Sequence, residues 1–412
     1  MKKNVVYVAL SVFGVQGAAY LGQFILAGML PAEQFAIVRT VEASLQLLSA
    51  IAPLGISLLV VRLAVQTTDP QALGRSLSSY LAFALVAGIA VAGICGFLIN
   101  AFSQRDADPY LLGMVWVLVL TNVSRTALNF LYGKERFATV SVTNFVIALC
   151  YLAALVALVQ LVGLPGWIGA KYLIETAFLL VSVAFVWRHL GRIIASARLY
   201  ADLAQEGLAV SLSLLFRTGL DTMPLLILAY LGASAQDIAT FGLCTLMVAA
   251  AMILPASLNT VLLPRYAQLL KTEPNALRDL HSKNQKTLAV IGIVIALIVI
   301  SVGWFLENTI GEKFINSTAM LAILTTSIPL KAIGSLNANL LFTKHKTATG
   351  TKIHVAALLA SSSLVFILIN KIGAWSAVIG ALAGELIAFS LLFVFARTQI
   401  LLIKQIDNIP TS

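Results

Sequence analysis

Long apolar runs separated by short polar connections fill almost the whole chain. Most runs have about 20 residues or more, the length at which an α-helix crosses the hydrocarbon core of a bilayer. They lie at positions 5–29, 36–65, 77–100, 110–132, 138–161, 167–187, 205–231, 238–264, 284–306, 319–343, 351–370 and 376–402. The pattern therefore predicts an all-α polytopic membrane protein with about twelve transmembrane helices.

The composition excludes an ordinary soluble protein. Of the 412 residues, 60% are hydrophobic and 11% are charged, and the mean hydropathy is +0.96. In soluble proteins about a quarter of the residues are charged. The three cysteines (Cys95, Cys150 and Cys244) lie inside apolar runs, the four histidines form no ligand motif, and there is no phosphate-binding loop. The sequence therefore predicts no enzyme, catalytic residue, cofactor or metal site.

The net charge of +10 reflects the two sides of a membrane. If the N-terminus is inside, the connections on that side carry nearly all the lysines and arginines of the loops. Cytoplasmic loops collect these residues, so both termini are expected in the cytoplasm. Because the basic residues follow the membrane topology, nucleic acid is not expected as a partner.

The two halves of the chain are related. A shift of 203 positions places Val61–Ala64 on Pro264–Ala267, at the ends of the second and eighth spans. A shift of 210 positions places NFLYGKER at 129–136 on NLLFTKHK at 339–346, at the ends of the fourth and tenth spans. Because each half has an even number of spans, the repeat is parallel, with a pseudo-twofold axis along the membrane normal. The substrate is then expected between the halves.

This repeat predicts two lobes of six helices each. The N-lobe is expected at 1–188 and the C-lobe at 205–412, with a cytoplasmic linker at 189–204. Basic and aliphatic residues alternate around the linker at helical spacing, which is typical of an amphipathic helix on an anionic membrane surface. These residues are Arg188, Arg192, Arg198, Ile194, Leu199 and Leu203.

The seventh span carries two opposite charges near its middle. Arg217 and Asp221 lie four residues apart on one helical face, and Pro224 follows them. A charge at the centre of a membrane helix costs about 2.5 to 3.5 kcal/mol on insertion scales, so it needs a polar environment. Two interpretations remain open: an intrahelical pair that supports packing, or a charged wall of a transport cavity. The helix is expected to be bent or broken at 219–224.

Other spans also carry buried charges. The bases are Arg39, Arg125, Lys171 and Lys331, and the acids are Glu42, Glu175 and Glu385. Arg39 and Lys171 lie close enough to span ends to snorkel, or to pair locally with Glu42 and Glu175. Lys331 has no acid on its own helix, and Glu385 is either the partner of a cation on another helix or an ion site. Prolines predict bends in the second, eighth and tenth spans, at Pro53, Pro255 and Pro329.

Three segments carry a family resemblance: LPAEQFA at 30–36, PLGISLLVVRLA at 53–64 and LNFLYGKERF at 128–137. With the span count, they resemble the Wzx-type oligosaccharide flippases (O-antigen and polysaccharide translocases) of the multidrug/oligosaccharidyl-lipid/polysaccharide (MOP) exporter superfamily. The resemblance implies a MATE-like V shape of two lobes in the bacterial cytoplasmic (inner) membrane. It also implies alternating access that moves an undecaprenyl-pyrophosphate-linked oligosaccharide (an O-antigen, capsule or exopolysaccharide repeat unit) to the outer leaflet, coupled to a proton or sodium gradient.

The same resemblance implies roles for the buried polar residues. A cationic cavity would bind the substrate through Arg217, Arg125, Lys331, Arg39 and Lys171, with amides such as Asn129, Asn339 and Asn122 contacting sugars. Asp221, Glu42, Glu175 and Glu385 would serve in ion coupling or in salt bridges. The membrane polymerase and the chain-length regulator of the same pathway are expected as partners.

Other transporters remain as alternatives. A cation-coupled multidrug or small-molecule antiporter of the same superfamily would favour an acidic pocket, whereas this chain has an excess of buried bases. A lipid II flippase typically has two further spans. The connection at 62–75, RLAVQTTDPQALGR, lacks the loop signature of major-facilitator transporters. A membrane polymerase of the same glycans would need a large outer loop.

Overall fold

The computed structural model describes residues 2–67, 69–102, 106–193, 197–310, 313–314, 316–343 and 346–407. In these residues the backbone is almost entirely helical, with one short 3-10 helix at Trp187–His189 and no strand. The helices are α1 (Lys2–Met29), α2 (Ala32–Ile51), α3 (Ile56–Gln66), α4 (Pro70–Phe102), α5 (Asp108–Met114), α6 (Val117–Gly133), α7 (Phe137–Val162), α8 (Leu164–Val186), α9 (Ala197–Tyr230), α10 (Ala235–Ala251), α11 (Ile253–Thr272), α12 (Pro274–Ile310), α13 (Ser317–Leu324), α14 (Ser327–Thr343), α15 (Thr347–Ile372) and α16 (Trp375–Asp407).

The predicted all-α membrane architecture is confirmed. Ten helical segments within the described residues are long and apolar enough to cross a membrane. The first expected span is α1, with 28 residues, and the second is formed by α2 and α3. The second span carries charges and is interrupted at 52–55, so it contains no uniformly apolar helix of full length. The chain is therefore a multi-pass membrane protein with about twelve spans.

Contacts divide the chain into two compact units, which we call unit 1 (Met1–Thr218) and unit 2 (Gly219–Ser412). The boundary lies inside α9, because Ala197–Tyr230 is one uninterrupted helix of 34 residues. Of the two predicted alternatives at 219–224, the break is therefore wrong, while a bend stays a prediction; Pro224 lies inside the helix.

The second half of the expected linker forms the first turns of α9, while residues 194–196 lie outside the described part of the chain. Leu203 is buried against Ile56 and Ala84, and Leu199 packs on the same cluster. The aliphatic face of this segment thus packs on protein within unit 1 rather than on lipid headgroups.

The internal duplication is visible in the helix boundaries. In unit 1 the fourth span is interrupted at Val115–Trp116, and in unit 2 the tenth span is interrupted at Thr325–Thr326, a shift of 210. The same shift relates α7 to α15 at both ends, and each has 26 residues. Gly163 and Gly373, which end these two helices, both have positive φ. The repeat predicted from short sequence matches is thus confirmed by matching interruptions.

The break in the second span is held by a side chain. Leu54 and Gly55 have φ of 43° and 67°, so the backbone leaves the helical path there. The amide nitrogen of Asn122 donates to the carbonyl oxygens of Ala52, at 2.7 Å, and Ala84, at 3.2 Å. Both donors of this amide are therefore used to satisfy backbone groups, which a membrane interior requires. Asn122 holds the break and does not fit the predicted role as a sugar ligand.

We expect Gly207→Ala to destabilise the protein by at least ~3 kcal/mol, because the added methyl group would clash with backbone atoms, which cannot move aside as a flexible side chain can. A Cβ at Gly207 would overlap the carbonyl group of Leu54 at the break. Gly93→Ala is the matched control, since nothing lies within 4 Å of a Cβ at that helical glycine. Thermal unfolding in detergent measures both variants, and equal midpoints would contradict the expectation.

Candidate functional site

In unit 2, three helices bring one lysine and two carboxylates together. The ammonium group of Lys331, on α14, binds the carboxylate of Asp221 on α9 and lies 3.4 Å from the carboxylate of Glu385 on α16. The side chain of Asp221 is 46% exposed, whereas that of Glu385 is 12% exposed. We call these residues the unit 2 triad. Two carboxylates from different helices therefore share one ammonium group in this triad.

A second ion pair lies in unit 1. Lys171, on α8, is 2.9 Å from the carboxylate of Glu42 on α2, and both side chains are mostly buried. The ammonium group also lies 5.7 Å from the ring centroid of Tyr151, within the range of a cation–π contact. Glu175 follows one turn later on α8 and is half-buried. The predicted local pair is thus replaced by a bridge between helices.

Arg39 is also bonded inside unit 1. Its guanidinium donates to the side-chain oxygen of Gln23 on α1, and Gln23 is buried. Lys171 and Arg39 thus both have side-chain partners within unit 1, which favours buried contacts over the snorkelling interpretation. The sequence missed Gln23 and Tyr151, because an uncharged partner on another helix leaves no charge signal in the pattern.

The repeat relates the two clusters. Glu175 and Glu385 are 210 positions apart and occupy the same place in the sixth helix of their units. The lysines are not equivalent. Lys171 is on α8, the same helix as Glu175, whereas Lys331 is on α14, at the position that corresponds to Thr121 in unit 1. Each unit therefore places a buried lysine near one equivalent carboxylate but reaches it from a different helix.

Two arginines within the spans stand apart from these clusters. Arg125, on α6, and Arg217, on α9, both have exposed side chains. Neither forms an ion pair or a side-chain hydrogen bond with any residue that the structure describes, while Asp221 is bound by Lys331. The intrahelical pair of Arg217 and Asp221 is thus not formed. An unpaired guanidinium at this depth requires water or an anionic ligand.

The asparagines of the predicted site have different surroundings. Asn339 donates to the backbone oxygen of Asn259 at 3.1 Å, and Asn259 donates to the carbonyl of Ala332 at 3.2 Å and to the hydroxyl of Ser335. These bonds join α11 to α14 within unit 2. Asn129, at the equivalent position of unit 1, is half-buried and has no hydrogen bond to the described residues. Among those residues, no group of three or more His, Cys, Asp or Glu could hold a metal ion.

The pair of Lys171 and Glu42 is expected to behave as one unit. Lys171→Met and Glu42→Gln alone should each destabilise unit 1 by about 3 kcal/mol, because each leaves a partly buried charge without its partner. The double variant should recover most of that loss. Unfolding midpoints of the four proteins form a double-mutant cycle. Additive losses would show that the two groups do not interact, and Lys371→Met, at an exposed site, controls for the loss of a lysine.

Solved transporter structures share this fold. An inward-facing MATE family multidrug resistance transporter of the MOP superfamily superimposes with a TM-score of 0.80, at 13% identity, covering 98% of this chain and 99% of that one. The eukaryotic MATE transporter AtDTX14 matches with a TM-score of 0.71, at 14% identity and 98% of both chains. A MOP superfamily transporter from Pyrococcus furiosus, described as having a binding pocket of reversed polarity that suggests a different function, matches at 0.69, with 14% identity over 98% and 96% of the chains. The fold is thus that of MOP superfamily transporters.

The family follows from the sequence itself. The model of a family described as polysaccharide biosynthesis protein matches residues 1–270, more than half of the chain. The chain therefore belongs to the polysaccharide biosynthesis protein family. No curated protein matches it by sequence. The resemblance to Wzx-type exporters of the MOP superfamily is confirmed at the level of family and fold.

Proposed function

We propose that the protein is a flippase for an undecaprenyl-pyrophosphate-linked oligosaccharide, an O-antigen, capsule or exopolysaccharide repeat unit. It would carry this substrate from the cytoplasmic to the outer leaflet of a bacterial inner membrane by alternating access. The observation that supports this most is the pair of exposed, unpaired arginines, Arg125 and Arg217, within the spans of a polysaccharide-family transporter. Such a pair favours an anionic substrate.

The chemistry of the substrate suits these residues. A guanidinium binds phosphate oxygens through two parallel, charge-assisted hydrogen bonds, which are strengthened where water is excluded. Arg217 and Arg125 are therefore our first candidates for the pyrophosphate, and Asn129 has donors available for sugar hydroxyls. Lys331, Lys171 and Arg39 already have partners within the protein. Their part in substrate binding would require an exchange of those partners during the cycle.

Coupling to an ion gradient is proposed for the unit 2 triad. Asp221 and Glu385 share Lys331, and a proton on either carboxylate, or a sodium ion beside it, would compete with the ammonium group. Binding of the ion would weaken the hold of Lys331, because one carboxylate would then be neutralised. Glu42 and Lys171 are both mostly buried, so we propose a structural role for that pair.

A multidrug or small-molecule antiporter is the second candidate. It is favoured by the likeness of the fold to multidrug MATE transporters and by the carboxylate of Asp221, whose side chain is 46% exposed and suits an organic cation. The Pyrococcus furiosus transporter is described as having a pocket of reversed polarity, so the same fold is compatible with other cargo. The exposed arginines oppose a cationic substrate and make this candidate second.

The leaflet in which lipid-linked glycan accumulates tests the proposal. Spheroplasts of cells lacking the protein would be treated with a membrane-impermeant lectin or glycosidase. We expect the glycan to be inaccessible in those cells and accessible after the intact protein is restored. Normal accessibility without the protein would exclude the flippase and leave the antiporter, which a drug-efflux assay with the same strains would test. Affinity capture of the intact protein would test whether the membrane polymerase and the chain-length regulator of the same pathway bind to it.

Glu385→Gln is expected to change the ion dependence of transport more than substrate affinity. The substitution keeps the shape of the side chain and removes one of the two charges that face Lys331. Transport by the variant should lose most of its response to an imposed proton or sodium gradient, while the half-saturating substrate concentration changes by less than about threefold. An unchanged gradient response at normal turnover would remove Glu385 as a coupling residue. Glu33→Gln, exposed at the start of α2, is the control.

A further inference from the structure

A buried network of hydrogen-bonded side chains joins α11, α12 and α14 of unit 2, near the ends of these helices that carry lysines and arginines. The ring of His281, on α12, is 1% exposed. One ring nitrogen lies 3.2 Å from the hydroxyl of Tyr266 on α11, and the other lies 3.1 Å from the side-chain oxygen of Asn337 on α14. Gln285 donates to the same oxygen at 2.9 Å, and Asn284 donates to Tyr266 at 3.4 Å. We call this arrangement the polar junction.

Unit 1 closes the equivalent place with apolar side chains. The shift of 203 places Leu63 on Tyr266, and the shift of 210 places Ala127 on Asn337. The helices α4 and α12 both begin with a proline that follows an acidic residue, at positions 70 and 274. This shift of 204 places Leu77 on His281. By the same shift, Tyr80 and Leu81 correspond to Asn284 and Gln285. Leu77 and Ala127 belong to one buried hydrophobic cluster, and Leu63, Tyr80 and Leu81 pack against it; we call these five residues the apolar junction.

The two junctions show that the fold does not require the polar network. Three equivalent helices meet in each unit, and in unit 1 four aliphatic side chains and Tyr80 pack at this place. Hydrogen-bonded groups in a core gain little over their bonds to water, whereas buried aliphatic groups lose the whole hydrophobic contribution when water enters. Opening the polar junction to water is therefore cheaper than opening the apolar one.

One buried donor gives a second reason. The amide nitrogen of Asn337 is buried, and no acceptor among the described residues reaches it. Leaving such a donor unsatisfied costs free energy in the closed state, and water would satisfy it in an open state. The closed junction is thus less stable than its own hydrogen-bond count suggests.

We propose that the polar junction is the part of unit 2 that opens during transport and admits water between α11, α12 and α14. The apolar junction keeps the equivalent part of unit 1 closed. This opening acts on the proposed site because α14 also carries Lys331 and Asn339, and α11 carries Asn259. Separating α14 from α12 changes the position of Lys331 relative to Asp221 and Glu385. The inference concerns the mechanics of unit 2 and holds for any substrate.

Hydrogen–deuterium exchange of the intact protein in lipid nanodiscs tests this within one molecule. Backbone amides at 275–290 and 330–342 would be compared with their equivalents at 71–86 and 120–132. We expect exchange at the polar junction to be at least ~10-fold faster than at the apolar one, the mark of a lower opening free energy. Equal exchange at the two junctions overturns the proposal, and this comparison needs no variant and no substrate.

Two variants distinguish a junction that opens during transport from a hydrogen-bond network that only stabilises the fold. Tyr266→Leu, His281→Leu, Gln285→Leu and Asn337→Ala together give unit 2 four of the five residues of the apolar junction and leave Asn284 in place. We expect this fourfold variant to slow exchange to the rate of unit 1, and Asn337→Ala alone to accelerate it, because His281 and Gln285 then lose their shared acceptor. A merely structural network predicts faster exchange in both variants, and that result would overturn the proposal even if unit 2 opens.

Discussion

Replacing Arg217 with alanine is expected to abolish glycan translocation while the protein still folds and inserts. Its side chain is exposed and unpaired within the described residues, so its removal disturbs no packing. If it binds pyrophosphate bidentately, the loss of two charge-assisted hydrogen bonds at about 1.5–3 kcal/mol each reduces transport by more than ~100-fold. Arg217→Lys should be intermediate, because an ammonium keeps the charge without the planar fork.

The measurement is the impermeant-lectin assay on spheroplasts, with membrane expression and thermal unfolding as checks on folding. Arg198→Ala is the matched control, since Arg198 lies on the same helix and is also exposed but stands at its first turn, near the membrane surface. The control should transport normally. Full activity of the alanine variant at position 217 would show that this arginine does not bind the substrate.

Lys331→Ala is expected to have the second large effect, on stability and transport together. Without Lys331, Asp221 and Glu385 lose the ammonium group that they share, and Glu385 is mostly buried. Removing one partner of a buried ion pair typically costs about 3–5 kcal/mol, because an uncompensated charge remains. Unit 2 should therefore unfold at a clearly lower temperature, and transport should be lost.

A triple variant separates the two effects of Lys331. When Lys331→Ala is combined with Asp221→Asn and Glu385→Gln, no charge remains to be compensated, so the unfolding midpoint should return towards that of the wild-type protein. Transport should stay absent, since the triad can no longer bind an ion. Lys352→Ala, at an exposed position on α15, is the control. Recovery of gradient-driven transport in the triple variant would show that the triad serves packing alone.

The asymmetry between the units has a physical consequence. Duplication gives both units the same helices, but unit 1 has an apolar junction and an ion pair of mostly buried side chains, whereas unit 2 has a polar junction and a triad whose Asp221 side chain is 46% exposed. Polar groups are costly to bury and easy to rehydrate, so a unit that contains them can change its internal contacts at lower cost. We therefore expect the parts that respond to ions and water to lie in unit 2.

The sequence by itself determined the class of the protein. Spans are long and apolar because a bilayer core demands about 20 residues of helix, and this requirement appears directly in the hydrophobic pattern. The duplication appeared in two short matches, and the buried charges were evident because few charges occur in spans. The interruption at Pro53 was also predictable, since proline removes a backbone donor.

Only the tertiary structure decided which charges are paired. Lys331 reaches Asp221 and Glu385 on two other helices, and Lys171 reaches Glu42 rather than a neighbour on its own helix. The period of a helix fixes which face a residue occupies but not which helix that face meets. Only the structure distinguished the exposed Arg217 and Arg125 from the paired bases, because exposure depends on packing between helices distant in the sequence.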